Sequence, residues 1–308
     1  MLALTSGSSS IVVAPEYGAA LTGWMIERTP MLRRALPQAA VGGDLHAMGC
    51  FPLLPYGNRI GYRRFRWEGV EYTLEPNFGD NPHTIHGVAW QCAWVVEQAT
   101  PRSATLSFQH RPDPSWPFAF DALVAYDLSD TSLTVTIQMT NRHGGPTPAG
   151  IGLHPFFPKA GNPSLRFNAT GAWDSGPDAL PLTHGPCRPD LLHAQPRAVR
   201  DSRLDHCFTG WDGTADILAG AASLRIEASE IFGPLQVFTP FWADFFCVEP
   251  VSHVPDAINR RDLAPGQAMH VLRPDETLSG TIRFSAPGTP ASASPGTIGT
   301  RSGSPRSG

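Results

Sequence analysis

Residues 132–140 place Leu133, Val135, Ile137 and Met139 on one side of the chain and Ser132, Thr134, Thr136, Gln138 and Thr140 on the other. Successive side chains of a strand point to opposite faces, so this alternation predicts a half-buried antiparallel strand. Shorter stretches of the same kind occur at 104–108, 222–226, 234–238 and 277–284, and residues 118–128 read as a less cleanly patterned strand. Turn signals separate them: Asp212-Gly213, His143-Gly-Gly-Pro146 and Phe232-Gly-Pro234. Helical periodicity is scarce, and residues 31–40 and 44–51 are the two places where a short helix is predicted. Trp90 and Trp94 are assigned to a strand or bulge behind the loop that carries His86. Many short strands with dense turns predict an all-β protein, a large antiparallel β-sandwich with few short helices.

Composition sharpens this picture. The 308 residues include 30 Gly and 31 Pro, and only 16% are charged, which suits many turns and an extensive core. No repeat of fixed period is present, which argues against solenoids and propellers. Residues 1–8 are expected to be loose, 9–286 to form a single domain, and 287–308, rich in Ser, Gly and Pro, to be a disordered tail. No function is read for the Pro-rich stretch at 160–196.

Charge and cysteine usage exclude several classes. The formal net charge is −4, and the one basic strip, Arg63, Arg64 and Arg66 interleaved with Tyr62, Phe65 and Trp67, is short. It reads as one face of a strand or hairpin, so no nucleic-acid partner is expected. Five cysteines in no Cys-x-x-Cys pair exclude a disulfide framework and a zinc-finger site. Free thiols suit a reducing cytoplasm. No export signal opens the chain, and no apolar run reaches the ~20 residues that span a bilayer. The expectation is a cytoplasmic protein with no membrane partner. Oligomeric state is not legible.

Five local clusters carry chemistry: Pro55-Tyr-Gly-Asn-Arg-Ile60, His83-Thr-Ile-His-Gly-Val88, Gly150-Ile-Gly-Leu-His-Pro-Phe-Phe157, Asp205-His-Cys-Phe208 and Phe245-Phe-Cys-Val-Glu-Pro250. Each sets a titratable or hydrogen-bonding side chain beside Gly, Pro or aromatic residues, as strand ends and loops around a concave site do. In the last cluster Phe245, Cys247 and Glu249 share one strand face, and Pro250 ends the pairing. A carboxylate in that setting is expected to be desolvated and therefore more basic. His83 and His86 form a His-x-x-His pair, but the spacing lacks the helical geometry of zinc proteases and no third ligand is evident, so no metal is expected.

The order of these clusters resembles the aldose 1-epimerase, or galactose mutarotase-like, family, from about residue 14 to residue 284. The resemblance implies a large β-sandwich with an open sugar cleft. It implies Glu249 as general base, His154 as general acid and His86 as a second active-site histidine. Arg59 and Asp205, with Asn58, match positions that hold the sugar. Phe156 follows His154-Pro155 where the family often has Tyr. The implied reaction is interconversion of the α and β anomers of a free aldose, which needs no cofactor and no metal. Two other readings stay open: a hexose-phosphate mutarotase that uses Arg63, Arg64 and Arg66 at the rim, and a non-catalytic carbohydrate-binding protein on the same fold. His253 and Asp256 stand near Glu249 in sequence with no role assigned.

Overall fold

The structure, a computed structural model, describes residues 1–35, 47–261 and 263–286. Two large antiparallel sheets dominate it. The first runs in the order Leu2–Ser6, Ser9–Ala14, Ala20–Ile26, Cys50–Leu53, Gly152–Pro158, Phe245–Pro250, Leu235–Phe238, Asp205–Thr209, Gly171–Ser175 and Pro181–Pro186, with Thr29–Leu32 paired to Ala20–Ile26. The second runs Val95–Ala99, Ser103–His110, Phe120–Leu128, Ser132–Asn141, Thr277–Ser285, Leu224–Ala228, Thr214–Leu218, Ser164–Phe167 and Arg197–Ala198. The described residues contain no α-helix, only short 3-10 turns.

The alternating stretches behave as their pattern dictates. Leu133, Val135, Ile137 and Met139 are buried in a strand that extends over Ser132–Asn141, and their polar neighbours face outward. That strand lies between Phe120–Leu128 and Thr277–Ser285 in continuous antiparallel register. Its inner face packs with residues of the other sheet, including Trp24, Phe157, Phe208 and Phe246, in one core. Burying apolar surface at roughly 25 cal/mol per Å² is what holds the two layers together.

Four expectations need correction. Residues 1–8 are not loose throughout, because Leu2–Ser6 pairs along its whole length with Ser9–Ala14 and buries Leu4. Met31 and Leu32, placed in a short helix from sequence, belong to the strand Thr29–Leu32, where β-pairing with Trp24 and Met25 overrides a weak helical pattern. Cys50 and Phe51, at the end of the second predicted helix, open the strand Cys50–Leu53. Trp90 sits in a 3-10 turn, Ala89–Gln91, with Trp94 just beyond it, not in a strand or bulge. Both indoles donate to backbone carbonyls, Trp90 to Gly87 and Trp94 to Ala89. Residues 33–35 and 47–49 form no α-helix, while 36–40, 44–46 and the predicted tail lie outside the described residues. All five cysteines are free thiols. Among the described residues no helix is long and apolar enough to cross a membrane.

Candidate active site

The site is written in the register of the first sheet. His154 lies opposite Phe51 on one side. On its other side the pairs Gly152↔Val251 and Phe156↔Cys247 set it level with Glu249. Glu249 in turn faces Gln236, and Gln236 faces Cys207. Two residues along, a parallel row holds Phe156, Cys247, Phe238 and Asp205. Residues two apart in a strand share a face, so both rows present their side chains to the same side of the sheet.

His154 Nε2 stands 3.5 Å from Glu249 Oε1. This exceeds a normal N–H···O bond, so the two groups are adjacent without being locked to each other. The imidazole packs against both Phe51 and Phe156, with ring centroids 4.9 and 4.5 Å away. Glu249 is only 3% exposed. Burial pushes its carboxyl well above the usual carboxylate range; the negative Asp205 adds to this, and the Arg59 guanidinium opposes it. Asp205 Oδ1 accepts a hydrogen bond from Gln236 Nε2 at 2.9 Å.

A short ribbon, Arg59–Ile60 paired with Thr84–Ile85, carries the remaining groups over this floor. Asn58 and His86, which face each other at one end of it, have φ of 54° and 62°. Such left-handed backbone is strained for residues with a Cβ and persists only where neighbours impose it. Here those neighbours are identifiable. Asn58 N donates to His86 Nδ1 at 3.2 Å, and His86 N donates to Asn58 O at 2.8 Å. With Nδ1 accepting, a neutral His86 ring carries its proton on Nε2. Asn77 Nδ2 donates to the carbonyls of both Ile85 and Gly87, and its Oδ1 accepts from Ile85 N. Gly87 is obligatory: φ is +72°, and a Cβ there would lie 2.0 Å from the Leu54 carbonyl oxygen.

His253 and Asp256 support the same ribbon from below. His253 Nε2 accepts from Gly57 N at 3.1 Å while its Nδ1 donates to Val254 O at 2.8 Å. Burial, with His270 nearby, brings the His253 imidazole down to about 4, so this ring is neutral. Asp256 Oδ1 accepts from Gly61 N, and Asp256 N donates to Arg59 O. His83 is also structural: Nδ1 accepts from Tyr62 N and Nε2 donates to Asp178 O. It therefore does not join His86 as a metal pair. Asp178 sits in the turn between Gly171–Ser175 and Pro181–Pro186, so part of the Pro-rich stretch forms a hairpin braced against this ribbon.

All six residues singled out from sequence, Asn58, Arg59, His86, His154, Asp205 and Glu249, line one open cavity of about 430 Å³. Gln236 joins them, and the walls are Phe78, Ile85, Phe156, Phe238, Trp242 and Phe245. Such a volume accommodates a small organic molecule. Trp242, 69% exposed, forms part of the rim. Arg63, Arg64 and Arg66 do not line the cavity, whose one cationic lining residue among those described is Arg59. Arg64 and Arg66 belong instead to a hairpin, Arg64–Trp67 with Val70–Thr73.

Sequence reasoning missed Gln236 and Asn77. Gln236 had a usable signal, being the one polar residue in the strand Leu235–Phe238. Asn77 had none, because an Asn beside a Pro in a loop is commonplace.

A two-sheet antiparallel protein with a buried carboxylate, an adjacent imidazole and an open cavity has the means to move protons on a small polyhydroxylated molecule. The family described as aldose 1-epimerase matches residues 1–285. The uncharacterised Escherichia coli K12 protein YphB is 31% identical over 281 residues, covering 86% of this chain and 94% of YphB. An E. coli K12 crystal structure described as a candidate aldose 1-epimerase superposes with a TM-score of 0.82 at 28% identity, covering 92% and 97% of the two chains. A galactose mutarotase-like protein from Clostridium acetobutylicum shares the fold, with a TM-score of 0.80 at 18% identity and coverage of 92% and 93%. The chain belongs to the aldose 1-epimerase family.

Proposed function

We propose that this protein is a mutarotase that interconverts the α and β anomers of a free aldose, with Glu249 as base and His154 as acid. The observation that carries this reading is the placement of the two groups. Their reacting atoms are 3.5 Å apart on one face of the cavity. A hemiacetal offers two oxygens on one carbon, the O1 hydroxyl and the ring oxygen O5. Side-by-side proton acceptor and donor match that pair.

The steps follow. Glu249 takes the O1 proton, the C1–O1 bond becomes a carbonyl, the C1–O5 bond breaks, and O5 takes a proton from His154. A half-turn about C1–C2 presents the other carbonyl face. O5 then attacks C1, returns its proton to His154, and O1 recovers a proton from Glu249. The raised Glu249 basicity favours the first transfer. His86, through Nε2–H, is suited to donate to a sugar oxygen. Arg59, Asn58 and the Asp205–Gln236 pair are suited to hold the other hydroxyls, and the rings of the wall can pack on the sugar's C–H faces. This scheme calls for no cofactor.

The lining disfavours the sugar-phosphate reading, since the Arg63, Arg64 and Arg66 side chains are absent from the cavity wall. The test is polarimetry of freshly dissolved α-glucose and α-galactose. Acceleration over buffer supports the enzyme; sugar binding without acceleration supports a binding protein.

A further inference from the structure

Cys247 takes no part in this proton transfer, yet it lies beside both reacting groups. It occupies the row next to Glu249 on the same sheet face, between Phe156 and Phe238. One ligand atom from each of His154, Cys247 and Glu249 falls within 4.8 Å of the others. We propose that these three side chains form a site for a soft, four-coordinate divalent cation of the zinc class, and that the cation shuts the proposed sugar reaction off.

Geometry, donor set and charge all favour such an ion. Tetrahedral zinc with thiolate, imidazole and carboxylate ligands separates its ligand atoms by roughly 3.3–3.6 Å. His154 Nε2 and Glu249 Oε1, at 3.5 Å, already meet that spacing. Cys247 Sγ reaches it by a movement on the order of 1 Å. One nitrogen, one sulfur and one oxygen suit zinc and not the oxygen-rich shells of magnesium or calcium. The thiol proton leaves to solvent as the metal binds. Thiolate, carboxylate and a neutral imidazole then balance the two positive charges, which a site this buried requires. His154 and Glu249 line the cavity, so a fourth position is open to it.

The ion would occupy the base and the acid together, so neither could exchange a proton with a sugar. Metal and sugar are therefore mutually exclusive. The binding claim stands on the three side chains alone, while the inhibition claim rests on the mutarotase reading.

The test uses the untagged full chain after dialysis against chelator, with Co²⁺ as spectroscopic probe and Zn²⁺ as competitor. The expected result is a one-to-one complex with a near-ultraviolet thiolate-to-cobalt band that Zn²⁺ displaces. Cys247→Ala removes the band and weakens Zn²⁺ at least ~10-fold, as ligand-shell losses do; Cys50→Ala retains both. Cys247→Ser serves as a second variant if the alanine form does not fold. Zn²⁺ is expected to slow anomer exchange in the unsubstituted protein, reversibly with chelator, and to need a concentration at least ~10-fold higher to slow exchange by Cys247→Ala. Absence of the band, or its survival in both Cys247 variants, overturns the site. A complete cobalt band in a protein whose metal-free form never exchanges anomers sustains the site and overturns the mutarotase reading.

Discussion

His154 and Glu249 are cross-strand neighbours in the sheet, brought level by the Gly152↔Val251 and Phe156↔Cys247 pairs, with Nε2 and Oε1 3.5 Å apart. The separation of the proposed acid and base is thus set by strand register. A one-residue slip would turn one of them to the opposite face. The proposed catalytic geometry therefore shares the stability of the central sheet.

Burying Glu249 should cost stability. Its folded pKa lies above the unfolded value of about 4.3, so both states are protonated in acid and neither is favoured. Above that pH the unfolded chain releases a proton that the folded chain retains, and the folded state loses ground until the folded pKa is passed. Glu249→Gln is expected to raise Tm at pH 8 and to converge on the unsubstituted protein near pH 4. Thermal unfolding across that range checks this; an unchanged or lower Tm at pH 8 counts against it.

His253 should make the Asn58–Arg59 loop sensitive to acid. Its folded pKa of about 4 lies below the unfolded ~6.5, so between these values the unfolded chain binds a proton that the folded chain refuses. Stability should fall by roughly 3 kcal/mol as pH drops through that window. Urea midpoints measured from pH 7.5 to 4 should show the decline in the unsubstituted protein and a shallower one in His253→Gln.

Asn77 should act through His86. Asn77→Ala removes three hydrogen bonds around the left-handed His86 backbone and is expected to cost about 1–3 kcal/mol. The same loss frees the ring from its position over the cavity, so kcat should fall with it. Denaturation and anomer-exchange rates on one preparation check both.

Trp242 should separate binding from folding. It is 69% exposed, so Trp242→Ala is expected to leave stability within ~0.5 kcal/mol. Loss of aromatic packing on a sugar face, worth about 1 kcal/mol, predicts a roughly fivefold rise in KM with kcat little changed. A KM series for glucose and galactose reads this directly.

Much of this architecture was legible because strand periodicity records burial. The alternation from Ser132 to Thr140 fixes both the strand and its inward face, and the same logic sets Phe245, Cys247 and Glu249 together. The six cavity residues could be named because the order of their clusters resembles that of the aldose 1-epimerase family; the Gly, Pro and aromatic neighbours alone mark only places where a polar group is held beside a concave surface. Gln236 and Asn77 escaped because their roles arise from partners distant in sequence or from backbone groups that no side-chain pattern encodes. The strand Leu2–Ser6 was hidden by its Ser- and Gly-rich surroundings, since pairing with Ser9–Ala14 stabilises residues whose own pattern is weak.

The central claim is that Glu249 and His154 open and close a sugar ring together. Two-dimensional exchange NMR on equilibrated glucose and galactose measures anomer interconversion directly, using folded preparations of the unsubstituted protein, Glu249→Gln and His154→Asn. The account predicts exchange well above the buffer rate for at least one sugar, reduced ~10²–10⁴-fold by either substitution. Exchange at the unsubstituted rate in either variant would contradict it.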